Sequence, residues 1–284
     1  MPFRIQGRRV ALFLVFWGAA FSTASAQVGF TEPERAGWET FLLTAKIGEA
    51  VQLGGPEATT KPWKLTLATG NVTRFGLWKD VDRGVDEGGP DGWRYEIAAY
   101  RLDVLLGLGM VPPTVERAFR GRRGSLQLWM DATDSLKNRM AKGPDAPAVG
   151  PEEWNRKACL QRAFDSLIAN DDRNLTNILI ADNDRKMILI DHSRTFRTAE
   201  PFASTLVYGA KGLMRAGDGT AYAFSRLPRA FVGKLRALDA KSVKDAVDSR
   251  LTGKEIQAVL ARRDLILKEI DDLIRRNGEA EILY

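Results

Sequence analysis

The stretch from Asn170 to Asp191 constrains the fold more than any other part of the chain. A polar loop, Asn170-Asp-Asp-Arg-Asn-Leu-Thr-Asn177, leads into two short apolar runs, Asn177–Ala181 and Lys186–Ile190. The turn-rich Asp182-Asn183-Asp184-Arg185 joins them, which predicts a two-stranded hairpin. With the turn centred on Asp184, Asn177 and Asp191 stand opposite each other at its open end. Asp and Asn are ordinary turn formers, but a carboxylate closing the apolar run Met187-Ile-Leu-Ile190 is poorly explained by folding. An amide oxygen beside a carboxylate suits a hard divalent ion, magnesium or manganese. Asp172, in the entering loop, approaches the same space.

The segments before this hairpin are mostly strands. An amphipathic helix over 32–46 places Trp38, Phe41, Leu42 and Ala45 on one face. Strands follow at Ala50–Leu53, Trp63–Ala68 and Val72–Val81, and the last two are separated by the hairpin dipeptide Gly70-Asn71. A helix runs from Trp93 to Leu106 and stops at Gly107. Val111-Pro112-Pro113 starts an extended segment, and Ser125–Met130 is a further strand. The Gly/Pro/Ala-rich residues 142–151 are the expected linker. Beyond it Pro151 opens a helix with Leu160, Ala163, Phe164, Leu167 and Ile168 at buried spacing. The C-terminal third is expected to be mostly helical, with a capping box at Thr252–Glu255 before a long helix through Ile274.

The expected division is therefore a leader (1–26), an N-terminal lobe (27–141), a linker (142–151) and a C-terminal lobe (152–284). The leader has Arg4, Arg8 and Arg9, the twelve-residue apolar run Val10–Phe21, and Ala24-Ser25-Ala26 as a cleavage site. Twelve apolar residues fall short of the roughly 20 that span a bilayer, so no stable membrane span is expected once the leader is removed. Export is the expectation, with a cytoplasmic protein as the alternative if the start site is misassigned. Cleavage removes three of the 42 basic residues and none of the 36 acidic ones, lowering the formal net charge from +6 to +3. That mild charge, without a basic stripe, argues against a nucleic-acid partner. Cys159 is the only cysteine and His192 the only histidine. An internal disulfide is thereby excluded, and a Ser-His-Asp triad or a zinc site built on histidines is disfavoured.

Two upstream charges complete a candidate site. Lys79 ends the alternating run Thr73–Lys79, and Glu96 lies early on the following helix, placed to pair with it. Gly54 and Gly55, between the first two strands, form a turn that is a candidate to cover nucleotide but do not spell G-x-G-x-x-G. Taken singly, Lys79 and Glu96 are ordinary surface charges; their places after three strands and before the linker give them meaning.

These residues resemble the atypical kinases: phosphoinositide 3- and 4-kinases, HipA-type kinases, and above all the four-jointed/Fam20-type secretory kinases and their bacterial relatives. The resemblance rests on Asp172-Arg-Asn-Leu-Thr-Asn177, on Asp191-His192-Ser193, and on Glu96–Asp103 followed by Leu106–Thr114. It implies an α+β, two-lobed protein-kinase-like fold: a small antiparallel-sheet lobe followed by a mainly helical one. It also implies ATP with Mg2+ or Mn2+, and phosphoryl transfer to a hydroxyl. The acceptor would be a protein Ser/Thr first, with sugar or lipid hydroxyls open; the alternative is a nucleotide-binding or scaffolding pseudokinase. Carried across, Lys79 contacts the phosphates, Glu96 orients it, Asp172 is the base, and Asn177 and Asp191 hold metal. Asn174 stands where the pattern has His, and Ser193 where it has Gly.

Overall fold

A computed structural model describes residues 30–54, 61–83, 91–131, 133–142, 150–181 and 186–284. The chain opens with α1 (Glu32–Thr44), started by a Thr31/Glu34 capping box, and continues into β1 (Lys46–Gln52), β2 (Trp63–Thr69) and β3 (Val72–Lys79). The two-residue β4 (Asp82–Arg83) and β5 (Asp91–Gly92) lead to α2 (Trp93–Leu106), β6 (Thr114–Phe119) and β7 (Arg122–Leu128). The first sheet has five antiparallel strands in the order β1-β2-β3-β7-β6. Strand β1 starts four residues before the expected Ala50, because its register slips between Ile47 and Ala50 and breaks the two-residue alternation.

One face of this sheet is apolar. Leu65 and Leu67 of β2, Trp78 of β3, Val115 of β6, and Leu126 and Leu128 of β7 pack with Leu42 of α1 and Ala45 just beyond it. The sheet closes tightly there: a Cβ on Gly124 would sit 2.3 Å from the Lys79 carbonyl oxygen and 2.7 Å from the Trp78 ring. Helix α1 also grips α2. Buried Asp103 accepts Arg35 Nη2 at 2.5 Å and the backbone N–H groups of Met110 and Val111 at 2.8 and 3.0 Å. Glu39 accepts Tyr100 Oη at 2.5 Å. Gly107, at φ +68, ends α2 in the left-handed conformation that favours glycine.

The second part begins with β8 (Asp134–Ser135) and α3 (Leu136–Ala141), then α4 (Pro151–Leu167), β9 (Ile178–Ala181) and β10 (Lys186–Leu189). Strand β8 pairs with β9, Asp134 opposite Ile180, in a sheet ordered β10-β9-β8. Residues 134–141 thus side with the second sheet, ahead of the linker expected at 142–151. Residues 143–149 lie outside the described residues, as do the leader, Gly55 and the 182–185 turn.

Helices α5 (Arg229–Ala237), α6 (Ala240–Val247), α7 (Gly253–Asn277) and α8 (Glu279–Ile282) finish the chain. Thr252 caps α7 as expected, its side chain accepting the Glu255 N–H at 3.3 Å. The segment 190–228, however, contains no helix. Pro201, Pro228 and four glycines from Gly209 to Gly219 break the helical pattern. Arg262 of α7 fastens this segment from within. Its guanidinium donates to the carbonyls of Leu167, Arg197 and Phe202 at 2.9, 3.0 and 3.2 Å, and burial lowers its pKa to about 10.

Candidate active site

Lys79 is delivered by the end of β3 and Glu96 by the first turn of α2; both are buried. The Lys79 ammonium lies 2.5 Å from Glu96 Oε1 and 2.7 Å from Asp191 Oδ1. Burial alone would lower the Lys79 pKa, but Glu96 and Asp191 outweigh it and hold the ammonium well above its ordinary range. Burial likewise opposes the Glu96 charge. Lys79 and His192 overcome it, and the carboxyl stays below the usual carboxylate range. The N-terminal end of α2 is docked by the segment that carries Asp191. His192 N donates to Glu96 Oε2 at 3.0 Å, and Gly92 N donates to the Ser193 carbonyl at 2.8 Å.

The hairpin register differs from the expected one by a single residue. Ile178 pairs with Leu189, and Ile190 N donates to the Asn177 carbonyl at 3.1 Å, so Ile190 rather than Asp191 stands opposite Asn177. Asp191 has left the ladder: its φ of +61 turns the chain. Asp tolerates that conformation better than most residues, at a cost of about 1–3 kcal/mol, a kind of strain concentrated at functional sites. The Asp191 side chain is 40% exposed and Asn177 is buried at the base of the loop.

Asp172 is half-exposed, with Oδ2 3.6 Å from Arg194 Nη1. Desolvation raises its pKa; Arg194 opposes the rise, and the neighbouring Asp191 and Asp171 add to it. Asn174 turns into its own loop and accepts the Thr176 N–H at 2.9 Å. Gly54 is in the left-handed region at φ +99, where the chain leaves β1.

Sequence reasoning missed the residues that hold this loop in place. Arg173 is buried and donates to both oxygens of buried Asp165 at 3.0 Å. It also donates to the carbonyls of Asn177 at 2.9 Å and Ile190 at 2.5 Å, and through Nη2 to His192 Nε2 at 2.9 Å. Because arginine only donates, His192 Nε2 is the acceptor and Nδ1 carries the hydrogen. Nδ1 lies 3.7 Å from Glu96 Oε2, beyond hydrogen-bond reach. Burial keeps the imidazole neutral by lowering its pKa, despite Glu96. The one available signal was Asp165 itself, a carboxylate within the buried stripe of α4. Arg173→Met should cost about 3–5 kcal/mol, because it strands the Asp165 charge in the interior. Denaturant unfolding of the variant against the parent measures it, and a loss under ~1 kcal/mol would show that the pair is not holding the loop.

No family model matches the chain, and no curated protein matches it by sequence. Solved structures do. The fold is similar to a hydra Fam20 solved with sugar, at TM-score 0.59 and 15% identity over 89% of this chain and 93% of that one. It is similar to a Golgi casein kinase with Mn/ADP bound, at TM-score 0.62 and 15% identity over 90% and 80%. It also resembles CtkA, a proinflammatory kinase of Helicobacter pylori, at TM-score 0.52 and 12% identity over 84% and 96%. The chain has an atypical-kinase fold of the α+β class, a small antiparallel sheet lobe joined to a mainly helical one. Among the described residues no helix is long and apolar enough to cross a membrane.

Proposed function

We propose that the protein is a kinase that transfers the γ-phosphoryl group of ATP to a hydroxyl, with a protein Ser/Thr as the favoured acceptor. The observation that carries this is the meeting of Lys79, Glu96 and Asp191 from three separated elements at the mouth of the hairpin. Among the described residues no group of three or more His, Cys, Asp or Glu side chains is arranged to hold a metal by itself. One carboxylate and one amide oxygen nevertheless fit Mg2+ or Mn2+, which take one or two protein ligands together with substrate phosphates and water. Asp191 and Asn177 would hold that ion, and its charge would offset that of the phosphates.

Lys79 binds phosphate oxygens, and Glu96 fixes the direction of its ammonium. Asp172 orients the acceptor hydroxyl and takes its proton. The acceptor oxygen bonds to the γ-phosphorus while the bond to the β–γ bridging oxygen breaks, and ADP leaves. The test is calorimetric titration of ATP with and without magnesium or manganese, followed by radiolabel transfer to protein acceptors. Folded protein that binds no nucleotide would end this reading. The Arg194 guanidinium beside Asp172 favours a second one, a nucleotide-binding pseudokinase in which the base stays engaged. That reading predicts metal-dependent binding without transfer.

Export belongs to the same proposal, and rests on the basic start, apolar run and Ala-Ser-Ala site of residues 1–26. N-terminal sequencing of protein from its native host should begin at Gln27; an intact Met1 on a cytoplasmic species would refute export.

A further inference from the structure

Side chains on neighbouring strands share faces in a fixed alternation. Leu65, Leu67, Trp78, Leu126 and Leu128 occupy the face against α1. The opposite face therefore carries Lys64 on β2, and Phe75, Leu77 and Lys79 on β3. The register agrees: Lys64 is opposite Leu77, and Lys79 is opposite Ser125. Trp129, one residue beyond β7 and next to Leu128, continues this face, and its N–H donates to the Phe75 carbonyl at 3.0 Å. It lies where the chain crosses from the first sheet to β8 of the second.

On this face the Lys64 ammonium sits 4.1 Å from the centroid of the Phe75 ring and 4.3 Å from that of Trp129. Among the described residues no carboxylate lies within ion-pair distance of it, so the two rings are its only charge partners. Phe75 precedes Lys79 by four residues on the same strand face, about 13 Å along a strand. A nucleotide whose phosphates meet Lys79 and which extends along β3 brings its base to Phe75 and Trp129.

Aromatic rings stack on any base, at about 1–3 kcal/mol each, with little discrimination. Lys64 does discriminate, because an ammonium donates hydrogen bonds and accepts none. Guanine offers two acceptors, O6 and N7, along one edge, where adenine offers N7 beside a donor amine. We propose that Lys64 sets the base preference of the nucleotide site and biases it toward guanine, so that GTP competes with ATP as phosphoryl donor. The inference rests on the kinase reading above.

The test is calorimetry of the purified protein with magnesium and either ADP or GDP, comparing the parent with Lys64→Met, which keeps the apolar stem and removes the charge. The ratio of ADP to GDP dissociation constants should fall by ~10-fold in the variant, the low end of what a good lysine–guanine contact discriminates. Lys64→Gln is a second uncharged variant should the methionine protein fail to fold, and Lys64→Arg should keep the parent ratio. A ratio that falls by less than about threefold, below the discrimination of one such contact, overturns the proposal. It would leave Lys64 as packing or general phosphate attraction. Absence of both ADP and GDP binding to the folded parent would instead refute the kinase reading itself, and this inference with it.

Discussion

Asp172→Asn should leave nucleotide and metal affinity nearly unchanged while phosphoryl transfer falls by roughly 10²–10⁴, the range of a general-base contribution. The substitution keeps the size of the side chain and most of its hydrogen bonding, and removes only the charge. Among the described residues Asp172 makes no contact with Lys79 or Glu96, and its ion-pair partner is Arg194, at 3.6 Å. Both side chains of that pair are 42% exposed, so losing it should barely move stability. The pH profile carries a second signature. Desolvation and the nearby acids raise the Asp172 pKa despite Arg194, so the acid limb of transfer should lie above the usual Asp range. Transfer would then increase as the carboxyl ionises. Binding, melting and radiolabel transfer on parent and variant decide the matter. Full transfer by well-folded Asp172→Asn would remove Asp172 as base; a parent that binds ATP but never transfers would make the protein a pseudokinase.

The parts legible in the sequence are those with strong local signals. Helix α2 was bounded at Trp93 and Leu106 because Gly107 ends it at positive φ. Strands β2 and β3 are legible because apolar side chains alternate around Gly70-Asn71, although β2 runs one residue further, to Thr69, and β3 stops at Lys79, two residues short of the expected Val81. Elements whose cause is not local were hidden. Strand β8 has two residues and exists only through its pairing with β9, so no periodicity announces that residues 134–141 join the second sheet. The one-residue slip of the hairpin comes from the left-handed turn at Asp191, a backbone state that a pairing rule cannot contain. Positions along the chain suggested Lys79, Glu96 and Asp191 separately. Their convergence depends on α2 being held at both ends, by Arg35 on Asp103 and by Ser193 on Gly92, contacts spanning 68 and 101 residues of sequence. The Arg173–Asp165–His192 network joins α4, the loop and the hairpin exit in the same non-local way.

Asp191→Ala should abolish the metal-dependent part of ATP binding, weakening affinity in magnesium by at least ~10–100-fold, since even outer-shell partners of a metal are worth that much. The fold should survive, because buried Lys79 keeps Glu96 at 2.5 Å when it loses Asp191. Two effects mix in this substitution. Alanine removes the carboxylate, and it also places a side chain without local hydrogen bonding at φ +61. That adds roughly 1–2 kcal/mol of backbone cost on its own. Asp191→Asn separates them, because asparagine tolerates the left-handed conformation as aspartate does and keeps an oxygen while losing the charge. If the carboxylate is the metal's charged ligand, both variants lose the magnesium enhancement and Asp191→Asn melts near the parent. If only the alanine variant loses binding, the charge of Asp191 is not what the metal requires, and the loss comes from its missing oxygen or from backbone strain displacing the Lys79–Glu96 pair. Calorimetry with and without the ion, run beside thermal melts, separates these outcomes. An unchanged magnesium dependence in both variants would take Asp191 out of the site and leave Lys79 and Glu96 as a buried structural pair.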